Sequence, residues 1–482
     1  QNGPAATLVV AAAAEALKSS IPLVVLLQEI PLKNEDRNAF QEFDHIRLFS
    51  ACTKWTRRVT TPERVEAYVD QAFAAACSGR PGPAVLLIPN DMLDLPAAPT
   101  SRTASLGHYP LDRVMPGRDA IEDVAKALLD SRNPVIIAGG GVHLSSACEA
   151  LAALQEEFAL PVATTVMGKG SVSELHPLSL GVMANALGPC SMSRHQRPLL
   201  EEADFVLLVG TRTDQNATDS WRLYPESARF AHIDMDGSEV GRNYEAQRLV
   251  GDARLTLEAL AEIMRGMDAG KRRAARAALE ARIAEGRKRH EEEMRELLAK
   301  PFSPMHPAQV MDKLQQVVTP DSIVVADASF SSIWVSNNLR ALKCGQRFIT
   351  PRGMAGLGWG LPMAIGAAVA RPDAPIFCVT GDGGFAHVWS EMEVAVHQKL
   401  KVTLVVIRNG VLGYVKTSEH QHYGKNSTSV FMSPIDHVAI ARACGFEAMH
   451  AGTVDELQQA LEKARQSEKP VLIEAECNDM CP

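Results

Sequence analysis

Two polar side chains stand at the ends of apolar runs in the carboxyl-terminal third of the chain. Asp382 follows "IFCVTG", and Asn409 follows "TLVVIR" 27 residues later. Short runs rich in β-branched residues predict strands, and an open α/β sheet binds ligands at the carboxyl edge of its strands. A carboxylate and a carboxamide oxygen at that edge, with one backbone carbonyl, suit Mg²⁺. That ion takes few protein ligands and fills its octahedron with phosphate oxygens. Gly383 and Gly384 would let a diphosphate approach the backbone, and a helix expected to start near Val388 would aim its positive end at it. A capping aspartate and a turn asparagine would use the same residues with no ligand. A bare Gly-Asp-Gly does not separate the two.

Other chemistry is sparser. Gly139, Gly140 and Gly141 end one strand pattern and open a helical one, but their spacing is not G-x-G-x-x-G, which argues against NAD. His420 and His422 in "EHQHYG" are expected in a loop with no third metal ligand nearby. No G-x-S-x-G nucleophile elbow occurs. Nine cysteines, an odd number scattered among apolar residues, read as reduced thiols of a cytoplasmic protein. Cys477 and Cys481 have no second pair, so they do not form a zinc pattern.

The elements that must position these residues alternate between short apolar runs and helical patterns, the signature of parallel α/β sheets. At 482 residues the chain has room for several domains. In a first unit, residues 1–98, "IPLVVLLQ" and "PAVLLIPND" read as strands flanking the helical "TPERVEAYVDQAFAAACSG". A Pro-rich linker follows. A second unit, 113–268, carries strand patterns at "NPVIIAGGG", "LPVATTVMG", "ADFVLLVGT" and "ARFAHIDMD". Residues 269–300, charged and Pro-free, predict a solvated connecting helix. The third unit, 303–482, places strands at "SIVVADAS", "APIFCVTGD", "KVTLVVIRN" and "KPVLIEAEC". The fold class is therefore α/β, with three doubly wound parallel-sheet domains. A net charge of −8 argues against general affinity for nucleic acid or anionic membrane. No apolar run reaches the ~18 residues of a membrane-spanning helix.

The Gly-Asp-Gly with Asn409 at that spacing resembles the metal-diphosphate motif of the thiamine diphosphate-dependent enzymes. On that resemblance Asp382, Asn409 and the Val411 carbonyl would ligate Mg²⁺. "GMAGLGWGLPMAIGAAVA" (353–370) resembles the segment that holds the cofactor's pyrimidine ring, with Leu357 as the apolar wedge beneath the bent cofactor. Ala355, Ser331, Ser332, Gly381, Gly383, Gly384 and Gly413 join the cofactor-binding candidates. "NGPAATL" resembles the family's Gly-Pro-Gly turn, through Gly3 and Pro4. "AFQEFDH" resembles the pocket loop of the acetohydroxyacid synthase group, where Phe40 and Gln41 would face the reacting carbons, and Gln28 falls at a strand end the group also uses.

The resemblance implies pyrimidine-binding, central and diphosphate-binding domains in that order. It also implies a homo-oligomer with its active site at a subunit interface and a 2-ketoacid or related carbonyl substrate. The family's activating glutamate is expected upstream of Gln1, and no glutamate of this chain takes that role. In the central domain the group's equivalent of Gly139–Gly141, Arg212 and Asp214 binds FAD; other members bind ADP or nothing there, and all three stay open. Departures bear on substrate. Asn216 stands where a carboxylate-binding Arg is expected, Ser418 where a Trp selects the acceptor, Asn90 for a Lys, and Leu357 for a Met. Decarboxylation with carboligation, of the acetolactate synthase kind, is the activity implied. A thiamine diphosphate-dependent C–C lyase or dione hydrolase, and a catalytically silent cofactor-binding subunit, are the alternatives.

Overall fold

A computed structural model describes residues 1–96, 102–183 and 188–482. The chain forms two compact units: Gln1–Val114 with Arg352–Ala355, and Met115–Pro351 with Gly356–Pro482. Residue 98, the expected end of the first domain, lies outside the described residues.

The first unit holds a three-stranded parallel sheet of β1 (Leu23–Glu29), β2 (Trp55–Arg58) and β3 (Pro83–Pro89), in the order β1-β3-β2. Ala6, Ala13, Leu27, Phe49, Val85 and Leu87 fill one face of it, and Ala72, Ala76 and Ala84 the other. Helix Pro4–Ser19 opens at Gly3, whose φ of 58° is open to glycine, and Pro4 takes the first helical position, where its missing N–H costs nothing. The Thr61–Pro62 start signal gives a 3₁₀ turn over Pro62–Arg64, then a helix over Val65–Cys77.

The second unit carries two six-stranded parallel sheets. The first contains β4 (Pro134–Ala138), β5 (Val162–Thr164), β6 (Ser179–Val182), β7 (Phe205–Val209), β8 (Arg229–Asp234) and β9 (Ala246–Val250), in the order β6-β5-β4-β7-β8-β9. The second contains β10 (Ile323–Ala326), β11 (Phe348–Ile349), β12 (Ile376–Gly381), β13 (Thr403–Arg408), β14 (Glu447–Ala451) and β15 (Val471–Glu476), in the order β11-β10-β12-β13-β15-β14. Side chains along a strand alternate between faces. Thus Ile136 and Ala138 of β4 join one apolar layer while Val135 and Ile137 join the opposite one, so this sheet is covered on both sides. In the same way Val405 and Ile407 of β13 lie on one face, and Leu404 and Val406 on the other.

A buried ion pair ties the two sheets within this unit. Lys169 Nζ donates to both oxygens of Glu174, at 2.8 and 2.7 Å, and Glu174 also accepts the Ala341 N–H. The charged segment forms one helix, Gly270–Leu298, solvated over most of its length as expected. It is nevertheless anchored. Arg272 reaches the Arg132 and Ala159 carbonyls, and the Ile283 carbonyl accepts from Gln196.

The helix expected near Val388 is different. Residues after β12 form a short turn of helix at Asp382–Phe385, a 3₁₀ turn at Trp389–Glu391, and a helix at Met392–His397. Val388 breaks the run with φ −142°. His420 and His422 are not in a loop either; both lie on the helix Gly413–Tyr423, where His422 Nδ1 bonds to the Ser418 carbonyl.

Candidate functional site

In the β10–β15 sheet the chain leaves β10 for the edge strand β11, then returns past β10 to β12. That reversal opens a crevice at the carboxyl ends of β10 and β12, the place where open α/β sheets receive ligands. A carboxylate stands at each side of it. Asp327 follows β10 and Asp382 follows β12.

Asp382 is buried, and its carboxylate accepts three backbone N–H groups: Gly383 at 2.8 Å, Asn409 at 3.0 Å and Gly410 at 2.7 Å. Burial pushes its pKa up, and those three bonds offset part of the rise. The Asn409 side-chain oxygen accepts from the Val411 N–H at 3.2 Å. A carboxylate has about four acceptor positions, so three N–H donors leave one open. Asp382, beside the carboxamide oxygen of Asn409, therefore fits a small hard cation.

Asp327 was not singled out in the sequence, although "VVADAS" carries the same signal of a carboxylate ending an apolar run. Its carboxylate is fully engaged, by the N–H groups of Ala328, Gly358, Trp359 and Gly360 and by the Thr380 hydroxyl. Those bonds hold the segment after Leu357 in place. They also change the account of Gly384. A Cβ there would lie 2.1 Å from Asp327 Oδ2, and one on Gly383 would lie 2.5 Å from Leu412 Cδ2. The protein's own packing thus accounts for Gly384, whereas at Gly383 only the movable ends of the Leu412 and Met432 side chains stand in the way.

The cleft between these carboxylates is lined by Ser331, Leu357, Gly381, Asp382, Gly383, Gly384, Asn409, Val411 and Gly413, together with Asp327 and Phe330. Ser332 is not among its lining residues; it is buried in the helix Phe330–Asn338, its hydroxyl donating to the Ser329 carbonyl. Arg408, the residue before Asn409, lies 3.9 Å from Glu474 and 3.7 Å from Glu476. His437 and His450 also hydrogen-bond Glu474. Burial alone would raise the Glu474 pKa, but those bonds outweigh it and hold the carboxyl below its ordinary range.

In the first unit, Gln28 Nε2 donates to Asn90 Oδ1 at 2.5 Å. Gln41 has φ 64° and packs on Gly3, where a Cβ would lie 2.7 Å from the Gln41 Cβ. Phe40 is 87% exposed. Ala355 is in this unit too, and its N–H and those of Arg352, Gly353 and Met354 all bond to the carboxylate of Glu15.

At the reversal point of the β4–β9 sheet, between β4 and β7, the glycines have a structural cause. A Cβ on Gly139 would lie 2.2 Å from the Gly210 carbonyl oxygen, and one on Gly141 would lie 2.7 Å from the Gly210 Cα. A Cβ on Gly140 would meet Met167 at 3.2 Å. Arg212 follows Gly210 in this turn, and Asp214 caps the Asn216 and Ala217 N–H groups. These contacts give no independent support for a flavin.

Among the described residues no cluster of three or more His, Cys, Asp or Glu side chains could hold a metal, and no helix is long and apolar enough to cross a membrane.

Residues 327–475 match the model of the thiamine pyrophosphate enzyme C-terminal TPP-binding domain, and residues 121–260 that of the same enzymes' central domain. The chain is 31% identical to a probable acetolactate synthase large subunit of Methanocaldococcus jannaschii, covering 98% of this chain and 80% of the relative. It is 29% identical to the corresponding protein of Methanococcus aeolicus, with the same coverage. Against an acetolactate synthase large subunit of Parasynechococcus marenigrum it is 30% identical, over 98% of this chain and 75% of the relative. With the paired carboxylates placed at the sheet's reversal point, these matches assign the chain: it belongs to the thiamine pyrophosphate-dependent enzymes, in their acetolactate synthase-like group.

Proposed function

We propose that this enzyme cleaves CO₂ from a 2-ketoacid and joins the remaining fragment to a second carbonyl, in the manner of an acetolactate synthase. The observation that carries the reading is Asp382, a buried carboxylate with one acceptor position open beside the Asn409 carboxamide at the end of β12. Thiamine diphosphate, when bound, supplies an electron sink for breaking a bond next to a carbonyl.

The chain's own residues do the rest. Asp382, Asn409 and the Val411 carbonyl hold Mg²⁺. Ser331, Gly381, Gly383, Gly384 and Gly413 line the diphosphate's place, and Leu357 presents its apolar side chain as the wedge. Ala355, Gly3 and Pro4 flank the ring, and Gln28, Phe40 and Gln41 face the substrate and exclude water. Residues 1–98, 113–268 and 303–482 act as pyrimidine-binding, central and diphosphate-binding domains. The first unit of one subunit completes the cleft of another in a homo-oligomer. Exposed apolar side chains on the first unit, Leu8 at 80% and Leu26 at 58%, are consistent with such an association.

A second reading, a C–C lyase or dione hydrolase with the same cofactor, draws on Asn216. An uncharged carboxamide cannot form the bidentate pair that an Arg makes with a ketoacid carboxylate. Product analysis with pyruvate separates the two. Acetolactate supports the first reading, and inert pyruvate with cleavage of a dione or 2-hydroxyacyl compound supports the second. Calorimetry that detects no Mg²⁺-dependent thiamine diphosphate binding would sink both.

A further inference from the structure

The loop carrying Phe40 and Gln41 is held at both ends by a single buried carboxylate, that of Glu29. This glutamate ends β1, one residue after Gln28, and is 3% exposed. Its Oε1 meets His45 Nδ1 at 3.1 Å and Arg58 Nη2 at 3.2 Å, and its Oε2 accepts from Arg58 Nε at 2.5 Å. Arg58, the last residue of β2, extends its other amino group to Glu35 Oε1 at 2.6 Å. Glu35 precedes the loop and His45 follows it. The two strands thus grip the loop at its entry through Arg58, and at its exit directly.

The loop needs that grip. Asp36, Asn38 and Gln41, none of them glycine, have φ of 58°, 55° and 64°. Aspartate and asparagine tolerate this region, but for Gln41 it costs on the order of 1–2 kcal/mol and persists only where the surroundings hold it. Inside the loop Glu42 bonds the N–H groups of Asp36 and Ala39, at 2.6 and 2.8 Å. That closes the turn on itself but does not fix it to the sheet. The Glu29 fork does. Burial alone would raise the pKa of Glu29, yet its bonds to His45 and Arg58 hold it below the ordinary range, so the fork is charged at neutral pH.

We infer that Glu29 is a positioning residue for the reaction, acting through Arg58–Glu35 and through His45 to present Phe40 and Gln41 to the substrate. The inference rests on the proposed role of those two residues, and it assigns the substrate-facing geometry to a charge network outside the cleft.

The test uses the full chain loaded with thiamine diphosphate and Mg²⁺, and the variants Glu29→Gln, Glu35→Gln and Arg58→Lys. Glu35 is half exposed, so Glu35→Gln cuts one tether without burying an unpaired charge and guards against a variant that fails to fold. Loop order is read from tryptic cleavage after Arg37, which needs no activity. Substrate positioning is read from KM and kcat for pyruvate, and the cofactor site from thiamine diphosphate affinity. Expected are cleavage about tenfold faster and kcat/KM about tenfold lower in Glu29→Gln, with a smaller change of the same kind in Glu35→Gln. Cofactor affinity should stay unchanged. Arg58→Lys, which keeps the charge but loses the fork, should fall between them. Unchanged cleavage after Arg37 would overturn the anchoring, and faster cleavage with unchanged kcat/KM would overturn the positioning role. If the unaltered chain does not turn over pyruvate, the proposed function fails, and the cleavage rates still decide whether Glu29 anchors the loop.

Discussion

Asp327 and Asp382 hold matching places at the ends of neighbouring strands but spend their oxygens differently. Asp327 takes four N–H groups and a hydroxyl, leaving nothing for a ligand. Asp327→Ala would leave those buried donors unmet, at about 1–3 kcal/mol for each that water cannot reach. A loss of at least about 3 kcal/mol in urea denaturation is expected. Asp382 keeps an acceptor position open and is pushed up in pKa by burial. Burial thus favours its protonated form more in the folded than in the unfolded chain, and that contribution to stability is present at low pH and fades as pH rises through the raised pKa. Mg²⁺ binds only the anion. Its apparent affinity should fall by up to about tenfold per pH unit below that pKa, and the stabilisation it brings should grow from acid to neutral pH. Calorimetric titration at saturating thiamine diphosphate across a pH series checks this; a flat Mg²⁺ affinity would count against Asp382 as ligand.

At the scale of elements, strands buried on both faces were legible, whereas of the edge strands only β1 was. β4, β7, β10, β12, β13 and β15 are interior strands, nearly all buried, and each reads as a continuous apolar run. The strands that sequence reasoning missed, β2, β6, β9, β11 and β14, all lie at sheet edges. "WTRR" and "AQRLV" carry charges because one long side of an edge strand need not pair, and β11 is two residues long. The site was legible by halves for a related reason. Asp382 and Asn409 announce themselves by spacing, whereas the partners of Asp327 come from residues 358–360 and from Thr380, distant in sequence. Glycines divide similarly. Gly384→Ala places a methyl 2.1 Å from Asp327 and should cost about 1–3 kcal/mol, whereas Gly366→Ala meets nothing within 4 Å in the helix Gly360–Ala370 and should stabilise by about 0.5–1 kcal/mol. Thermal or urea midpoints of the two variants give opposite signs.

For the whole molecule, the proposed homo-oligomer draws on the first unit. That unit has a three-stranded sheet, and its helix Pro4–Ser19 leaves Leu8, Ala11 and Ala12 exposed along one side. Leu8→Glu should shift the assembly toward monomer in sedimentation equilibrium and lower specific activity, with recovery at high protein concentration. A monomer with full turnover would refute the shared site.

The interlocked turns of the central sheet bear on how such chains diverge. Gly139, Gly141 and Gly210 are held to glycine by the close approach of one another's backbone, and Gly139 by the Thr211 Cβ as well. A descendant that had lost every nucleotide would still be held to glycine at those positions. Gly139 and Gly141 after β4 are thus accounted for by assembly, and the same glycines in another chain would by themselves say nothing of a flavin.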